Sequence, residues 1–579
     1  MSAPTGLERA AVPEQVTGER EALTAPSDLL RPYVPRLLID WLRNEPDKMY
    51  QEVEGSLAFV DISGFTSLTE RLARKGKVGA EEMSDILNST FAALLEVAYA
   101  NGAGLVKWGG DAVLLIFDGE RHADRACRAA YYMRDTMRRI GRLRTTAGNV
   151  TLRMSVGIHS DTFHFFLVGD PAYHRELIIS GPAASTTAVV EGIANAGEIG
   201  LSPATAALLD PRCVGQEREG AYLLRSVPDV AEVGVPPAES VNDLDLTAVL
   251  PLGIRDHLLA KPGEAEHRTI AVAFVQFSGT DALLAEEGPQ ALAEALDEAM
   301  ANVQDATASH GVTFFETDIN KDGGKVMLTA GAPTSRGHDD DRMLRAARLI
   351  VERVGRLPLR IGVNRGPVFS GDFGPFFRKT YSVKGDAINL AARVMGKAVP
   401  GEVVATRLVV DHARTTFALT DMPPFMVKGK SKPIDAVKLG PVLDGHSEPA
   451  SADLPPLRGR REELAAVEEA LGGLASGAGA YVRVLGEPGI GKTRLVQEVV
   501  RLANERSEGP QVIATACDEI EEQMPYLPAR RLFRAALGIP ADATAQHAAD
   551  RLREAVSVSA PDLEPWVPLL GIVAGVDLP

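Results

Sequence analysis

Apolar positions along this chain switch repeatedly between a period of two and a period near 3.6. The run "SLAFVDI" around Val60 reads as a strand and ends in the turn "SGFT". Met83, Ile86, Leu87, Phe91, Leu94 and Leu95 then recur at steps of three and four, which predicts an amphipathic helix. "GLVKWGGDAVLLIF" sets a Gly-Gly turn between short apolar runs and predicts a β-hairpin. A helical stretch, "DRACRAAYYMRDTM", and a strand, "LRMSVGIH", complete the series. The same series then returns as "IAVAFVQFSGTDALLA", "ETDINKDGGKVMLTA", "DRMLRAARLIVERV" and "LRIGVNRG". The chain therefore carries an internal duplication. Each copy has the order strand, helix, two strands, helix, strand, which is ferredoxin-like and α+β.

At 579 residues the chain is too long for one core and predicts several domains. Residues 1–50 read as a polar segment followed by a short helix, "LRPYVPRLLIDWL". The first copy spans 51–213 and the second 266–440, separated by a Pro- and Asp-rich linker over 214–265. A further linker over 441–456 leads to a third region over 457–579. That region holds "GEPGIGKT", with Gly486, Gly491, Lys492 and Thr493 in phosphate-loop spacing, between the expected strand "YVRVL" and the expected helix "RLVQEVVRLANE". It predicts the start of a P-loop α/β domain. A working module also needs a later apolar strand ending in an acidic metal partner. "VIATACDE" comes too soon after the loop for that part, so the module is expected to be truncated.

Composition narrows the function. The formal net charge of -17 disfavours a nucleic-acid partner, which asks for a basic face. Three cysteines, Cys127, Cys213 and Cys517, stand far apart in no metal-ligand spacing and suit a reducing compartment. No apolar run approaches the ~18–20 residues of a membrane helix, and the N-terminus lacks the pattern of a secretory signal. A cytoplasmic protein without a membrane partner is the expectation.

The candidate chemistry begins at Asp61, a carboxylate at the end of an apolar strand. The turn after it offers backbone N–H groups to phosphate oxygens. Taken alone, Asp61 is equally well a helix cap. Asp111 follows the Gly109–Gly110 turn, so the hairpin brings a second carboxylate to a neighbouring strand end. Two such carboxylates can bracket two hard cations about 3.5–4 Å apart.

These motifs resemble class III adenylyl/guanylyl cyclases, and within them the soluble, bicarbonate-responsive adenylyl cyclases that place paired cyclase domains ahead of an NTPase module. "FVDISGFTSLTERL" and "KWGGDAVLLIF" carry the match in the first copy and "YSVKGDAINLAARV" in the second. The resemblance implies two domains wrapped as an intramolecular pair in a monomer, cyclising ATP at one shared site with two Mg²⁺ or Mn²⁺ ions. Asp61, Ile62 and Asp111 would hold the metals. Asn389 and Arg393 would orient the ribose and stabilise the transition state, and an Arg fork suits a five-coordinate phosphate. Phe65, Thr66, Lys321, Ser382 and Lys428 would contact substrate, with Lys321 and Ser382 on the purine. Guanylyl cyclases typically have Glu and Cys at those two positions, so ATP is favoured. In ungapped alignment the second copy has Gln276 and Lys325 in place of the two acids, while the first has Ser185 and Val189 in place of Asn389 and Arg393. One complete site is thus expected across the interface. Ser155 replaces an expected basic residue, with Arg153 on the same strand face. Lys107 would sit at a regulatory anion site for bicarbonate, although Val189 replaces the arginine expected beside it.

Three rivals stand beside this reading. A diguanylate cyclase is suggested by "GGD", but Ala112 and Val113 follow where acidic and aromatic residues are the rule for that class. A guanylyl cyclase and a non-catalytic nucleotide sensor governing the P-loop module are the others.

Overall fold

The computed structural model describes residues 26–65, 68, 71–72, 75, 77–109, 112–234, 241, 243–260, 266–427, 432–443, 459–474, 477, 479–486, 492–504, 512–513, 527–539 and 545–576. Two compact units divide the chain at Leu443.

Unit 1 opens with α1 (Pro26–Leu30) and α2 (Arg36–Asn44). The first repeat follows as β1 (Tyr50–Ser63), α3 (Lys77–Ala100), β2 (Gly104–Gly109), β3 (Ala112–Asp118), α4 (His122–Ile140), β4 (Arg142–Thr145), β5 (Gly148–Thr151), β6 (Arg153–Val168), β7 (Glu176–Ser180), α5 (Pro182–Ile193), β8 (Ile199–Leu201), α6 (Pro203–Leu208), β9 (Val214–Arg218) and β10 (Ala221–Leu224). After α7 (Leu252–Leu259) the second repeat runs β11 (Glu266–Ser278), α8 (Thr280–His310), β12 (Thr313–Asn320), β13 (Gly323–Ala330), α9 (Asp339–Glu352), β14 (Leu359–Phe373), β15 (Thr380–Lys384), α10 (Asp386–Met395), β16 (Val403–Thr406), α11 (Arg407–Asp411), β17 (Phe417–Asp421) and β18 (Ala436–Val442).

The two sheets have the same topology. The first is ordered β2-β3-β1-β6-β8-β10-β9 with β7 on β6; the second is β12-β13-β11-β14-β16-β18-β17 with β15 on β14. The expected ferredoxin-like order is present in each. The first sheet extends past residue 213, because β10 pairs onto β8 and β9 onto β10.

Strand alternation explains how the repeats join. On β1, Ala58, Val60 and Ile62 face the helices of their own repeat. Leu57 and Phe59 face the other way, into a core shared with β11 residues Ile270 and Val272. The same shared core takes Leu30, Val34, Leu38 and Trp41 from the N-terminal segment and Ile254 and Leu258 from α7. Residues 26–44 and the linker helix are therefore structural parts of the pair. Trp41 is only 1% exposed. Main-chain and side-chain bonds reinforce this packing: the Lys379 N–H donates to the Pro32 carbonyl at 2.7 Å, and the Tyr33 hydroxyl donates to Asp372 at 2.9 Å.

Unit 2 is helical among its described residues: α12 (Arg461–Leu474), α13 (Lys492–Asn504), α14 (Leu527–Ala536), α15 (Ala545–Ser559) and α16 (Val567–Ala574). The expected strand "YVRVL" has no regular structure, and Tyr481 is 89% exposed. An extended segment without a paired neighbour leaves its ladder groups unsatisfied, and no strand is described beside it. No helix among the described residues is long and apolar enough to cross a membrane.

Candidate active site

Asp61 occupies the third position of the β1 face that carries Leu57 and Phe59, so alternation directs it toward the other repeat. It pairs with Ala112 of β3 and Ser155 of β6 and is half-buried. The chain then turns at Gly64, which has φ 107°. A Cβ there would lie 2.9 Å from the Thr151 carbonyl oxygen, so the turn requires glycine. Ile62 is fully buried. Phe65 puts its ring into the core of its own repeat, 5.9 Å from Phe91, which in turn meets Trp108 edge-on at 4.9 Å. The Phe65 side chain is thus committed to packing, and only its main chain is left to meet a substrate. Asp111 and Thr66 lie outside the described residues, as does Lys428.

The matching corner of the second repeat is filled by its own side chains. Gln276 stands where Asp61 stands, and its Oε1 accepts from Arg360 Nε at 2.9 Å and Nη2 at 2.7 Å. Arg360 matches Ser155, whose hydroxyl donates to Glu191 at 3.0 Å. Arg153, exposed, pairs with Ser63 at the start of β6. The turn after β11 is also occupied: Asp322 accepts the N–H groups of Gly279 at 3.2 Å and Asp281 at 3.1 Å. A carboxylate of the chain itself sits on donors that could otherwise hold phosphate.

Strand register corrects one sequence equivalence. Asp61 pairs with Ala112, and Gln276 pairs with Lys325. Lys325 therefore matches Ala112, and one residue back the position of Asp111 corresponds to Gly324. The expected consequence stands on different residues: a side chain at Gly324 would lie 2.5 Å from the Phe277 ring. Lys325 is instead paired with Asp318 at 2.9 Å.

The same register identifies the second-repeat counterpart of Lys107. Lys107 pairs with Leu114 after a bulge in β2, and Glu316 pairs with Met327 after the matching bulge in β12. Leu114 and Met327 are equivalent, so Glu316 is the counterpart of Lys107. Lys321 lies at the tip of a longer hairpin, exposed, beside Asp322. The Asp322 N–H donates to Ser185 of the first repeat at 2.8 Å, which puts this tip beside the first-repeat position that matches Asn389. The two hairpins differ in length. Glu316 lines a cavity of about 110 Å³ with Lys107, Glu176, Trp108, Arg378 and Tyr381. Burial pushes its carboxyl up to about 7, with Asp318 and Glu176 adding to the rise and Lys384 and Lys107 opposing it.

Asn389 and Arg393 lie one turn apart on α10 and share a half-buried face. The equivalent α5 positions are Ser185, 7% exposed, and Val189, 44% exposed. Ser382 is buried in β15, and its hydroxyl has no hydrogen-bond partner among the described residues. A buried hydroxyl without a partner is costly unless a ligand completes it.

Lys107, the expected anion site, already has an anion. Its Nζ donates to Glu176 Oε1 at 2.7 Å and contacts the Thr317 hydroxyl. Thr317 Oγ1 also donates to Glu176 Oε1, at 2.6 Å, and His174 Nε2 lies 3.3 Å from Oε2. Burial would raise the Glu176 carboxyl, but Lys107 and His174 outweigh it and hold it at about 2. In unit 2, Lys492 Nζ donates to the Gly486 carbonyl at 2.9 Å. Gly491 and the Thr493 side chain lie outside the described residues.

Comparison with known proteins follows this geometry. The model of the adenylate and guanylate cyclase catalytic domain matches residues 47–232 and again 263–437, and that of the AAA ATPase domain matches 456–569. Rabbit (Oryctolagus cuniculus) adenylate cyclase type 10 is 23% identical over 583 residues, covering 88% of this chain and 34% of that protein. An adenylate cyclase of Mycobacterium bovis is 27% identical over 202 residues, covering 32% of this chain and 43% of that protein. A class III adenylyl cyclase-like ATP-binding protein from Pseudomonas aeruginosa superposes with a TM-score of 0.46 at 12% identity, covering 63% of this chain and 85% of that one. The chain spans about a third of the length of the mammalian relative. Two matched catalytic domains, laid out as paired sheets of one topology, make this chain a member of the adenylate and guanylate cyclase family.

Proposed function

We propose that the protein is an adenylate cyclase with one composite site, to which the first repeat contributes Asp61, Ile62 and Asp111 and the second Asn389, Arg393 and the purine-facing residues. The observation that carries this reading is the opposite wear of the two halves. Gln276, held by Arg360, and Asp322, seated on the turn, close one half, whereas in the other the buried Ser382 hydroxyl has no partner among the described residues.

In the reaction the ribose 3′-oxygen attacks the α-phosphorus, the bond to the β-phosphate breaks, and pyrophosphate departs as the hydroxyl proton leaves to solvent. The Asp61 carboxylate and the Ile62 main-chain oxygen are hard donors that fit Mg²⁺ or Mn²⁺. With Asp111 they would hold a cation pair, which when bound activates the hydroxyl and offsets phosphate charge. Arg393 would place its guanidinium on the charge that builds at phosphorus, and Asn389 would fix the ribose. Lys428 would meet the triphosphate. Gly486, Gly491, Lys492 and Thr493 would bind phosphate in the AAA-like region. A composite site within one chain needs no second copy, and a cytoplasmic monomer fits it.

GTP is a second reading, favoured by Glu316, because an ionised carboxylate accepts the N1–H and amino group of guanine. Turnover of ATP and GTP with Mg²⁺ or Mn²⁺, followed as cyclic nucleotide, tests both readings. Wild type should cyclise nucleotide, and Asp61→Ala and Arg393→Ala should not. Nucleotide binding with no cyclic product would leave a sensor.

A further inference from the structure

The two repeats meet through a buried carboxylate whose every partner is a hydrogen-bond donor. Glu176 opens β7 in the first repeat, and its side chain is 9% exposed. Lys107 of the same repeat and Thr317 of the other both reach Oε1, and His174 faces Oε2. The orientation of His174 is fixed from behind. Asp170 donates its N–H to Gln304 Oε1 at 2.8 Å, so the Gln304 amide nitrogen faces His174, donating to its carbonyl at 2.8 Å and lying 3.2 Å from Nδ1. Nδ1 then accepts, and the ring proton sits on Nε2, directed at Glu176. Two donors from one repeat and one from the other converge on a single carboxylate, and Gln304 of α8 backs them. At the matching place in the second repeat β15 begins with Thr380, which brings no carboxylate.

We propose that Lys107, Thr317 and His174 form a carboxylate-binding cradle spanning the two repeats, and that Glu176 is its permanent, tethered occupant. The chain thereby carries within itself the small anion that would otherwise have to diffuse in. Two consequences follow. Wild type is indifferent to bicarbonate, formate and acetate, because the cradle is full. Removing the tether leaves a cradle that a free carboxylate can refill. Glu176→Ala deletes Cγ, Cδ and both Oε atoms, which is the heavy-atom skeleton of acetate. Lys107 is then left buried beside an empty space, and repeat apposition weakens until an anion returns.

The test uses the full chain and two readouts. The activity readout rests on the cyclase reading; thermal unfolding does not, so failure of one leaves the other informative. Wild type and Glu176→Ala are melted and assayed with sodium acetate, formate or bicarbonate, against sodium chloride at equal ionic strength and pH. In wild type neither the melting temperature nor the turnover should respond. In Glu176→Ala the melting temperature should fall and then rise saturably with acetate but not with chloride. Turnover should fall by roughly tenfold or more and return in parallel, as expected for loss and return of a charged hydrogen-bonded partner. Glu176→Gln keeps the space filled, and acetate should leave it unchanged. Should Glu176→Ala fail to fold without additive, its refolding yield with acetate replaces the melt, and Lys107→Met/Glu176→Leu, with no charge to satisfy, serves as the folded control. Stimulation of wild type by bicarbonate overturns the proposal. So does a Glu176→Ala variant that melts like wild type, or one on which acetate acts no better than chloride.

Discussion

Glu316 gives the sharpest prediction: on the reading that it faces the base, its protonation state decides which purine it can bond. A neutral carboxyl donates its O–H to adenine N1 and accepts from the adenine amine. An ionised one only accepts, and it suits the N1–H and amino group of guanine. With the group held near 7 by burial, it is about nine-tenths protonated at pH 6 and about one-tenth at pH 8. The ATP-competent population therefore falls about ninefold across that window, and the GTP-competent population rises by a similar factor. The ratio of kcat/KM for ATP to that for GTP should drop by roughly 80-fold, or by several-fold at least if other contacts share the discrimination. The ratio is the right quantity, because ionisations that affect metal binding or the phosphates are common to both substrates and cancel. Glu316→Gln offers a donor and an acceptor at every pH. It should prefer ATP throughout and flatten the ratio. A wild-type ratio that is the same at pH 6 and pH 8, or a Glu316→Gln enzyme that keeps the pH dependence, refutes this assignment.

Other expectations rest on single contacts. Asp61→Asn keeps the shape of the strand end but weakens cation holding; turnover should fall by about 10²-fold or more, and excess Mn²⁺ should recover part of it in a metal titration. Arg393→Ala should lower kcat by about 10²–10³-fold while nucleotide affinity in equilibrium binding changes far less, since the guanidinium acts on charge that appears only in the transition state. Trp41→Ala removes an aromatic from the core shared by both repeats and should cost about 3–5 kcal/mol, seen as a lower denaturant midpoint for unit 1. Glu176 has a folded carboxyl held below its usual range, so its stabilisation is complete above about 4.5. It is lost as pH falls toward about 2; acid unfolding of Glu176→Gln should be flatter over that window than that of wild type.

Much of this architecture was legible in the sequence, because period and repetition are local properties. The alternation of "SLAFVDI" placed Asp61 on the face opposite Val60 and Ile62, and the helical spacing from Met83 to Leu95 gave α3 its buried side. The loss of Asn and Arg at Ser185 and Val189 was equally readable, since Gly181 and Gly385 anchor that alignment without a gap. What escaped depended on pairing across strands. The two hairpins differ in length, and only the bulges in β2 and β12 reveal that Glu316 is the second-repeat counterpart of Lys107. Glu176, Arg360 and Asp322 carried no motif. Each matters through a partner far away in sequence, and "HRELIIS" gives no sign that its glutamate will lie on Lys107. The short helix in "LRPYVPRLLIDWL" was readable too, but not that Leu38 and Trp41 would pack into the core shared by both repeats.

The way the second half is closed bears on why one site is enough. An empty pseudo-site would leave buried or half-buried donors with no acceptor: the N–H groups after β11, the Arg360 guanidinium, the Lys107 ammonium. Each unmet donor at such an interface costs about 1–3 kcal/mol, and more where it is charged. Here every one of them is met by an oxygen of the chain: Asp322 on the turn, Gln276 on Arg360, Glu176 on Lys107. Those substitutions turn a place that would need nucleotide or anion for its stability into a permanently bonded seam. The repeats can then stay apposed without ligand, and on the proposed reading the opposite half, to which Asp61, Asn389 and Arg393 would contribute, is where binding energy would be spent on the transition state. Reopening the seam by Asp322→Ala should consequently loosen the pair, measurable as faster amide exchange in β12 and α5, before it restores any second turnover.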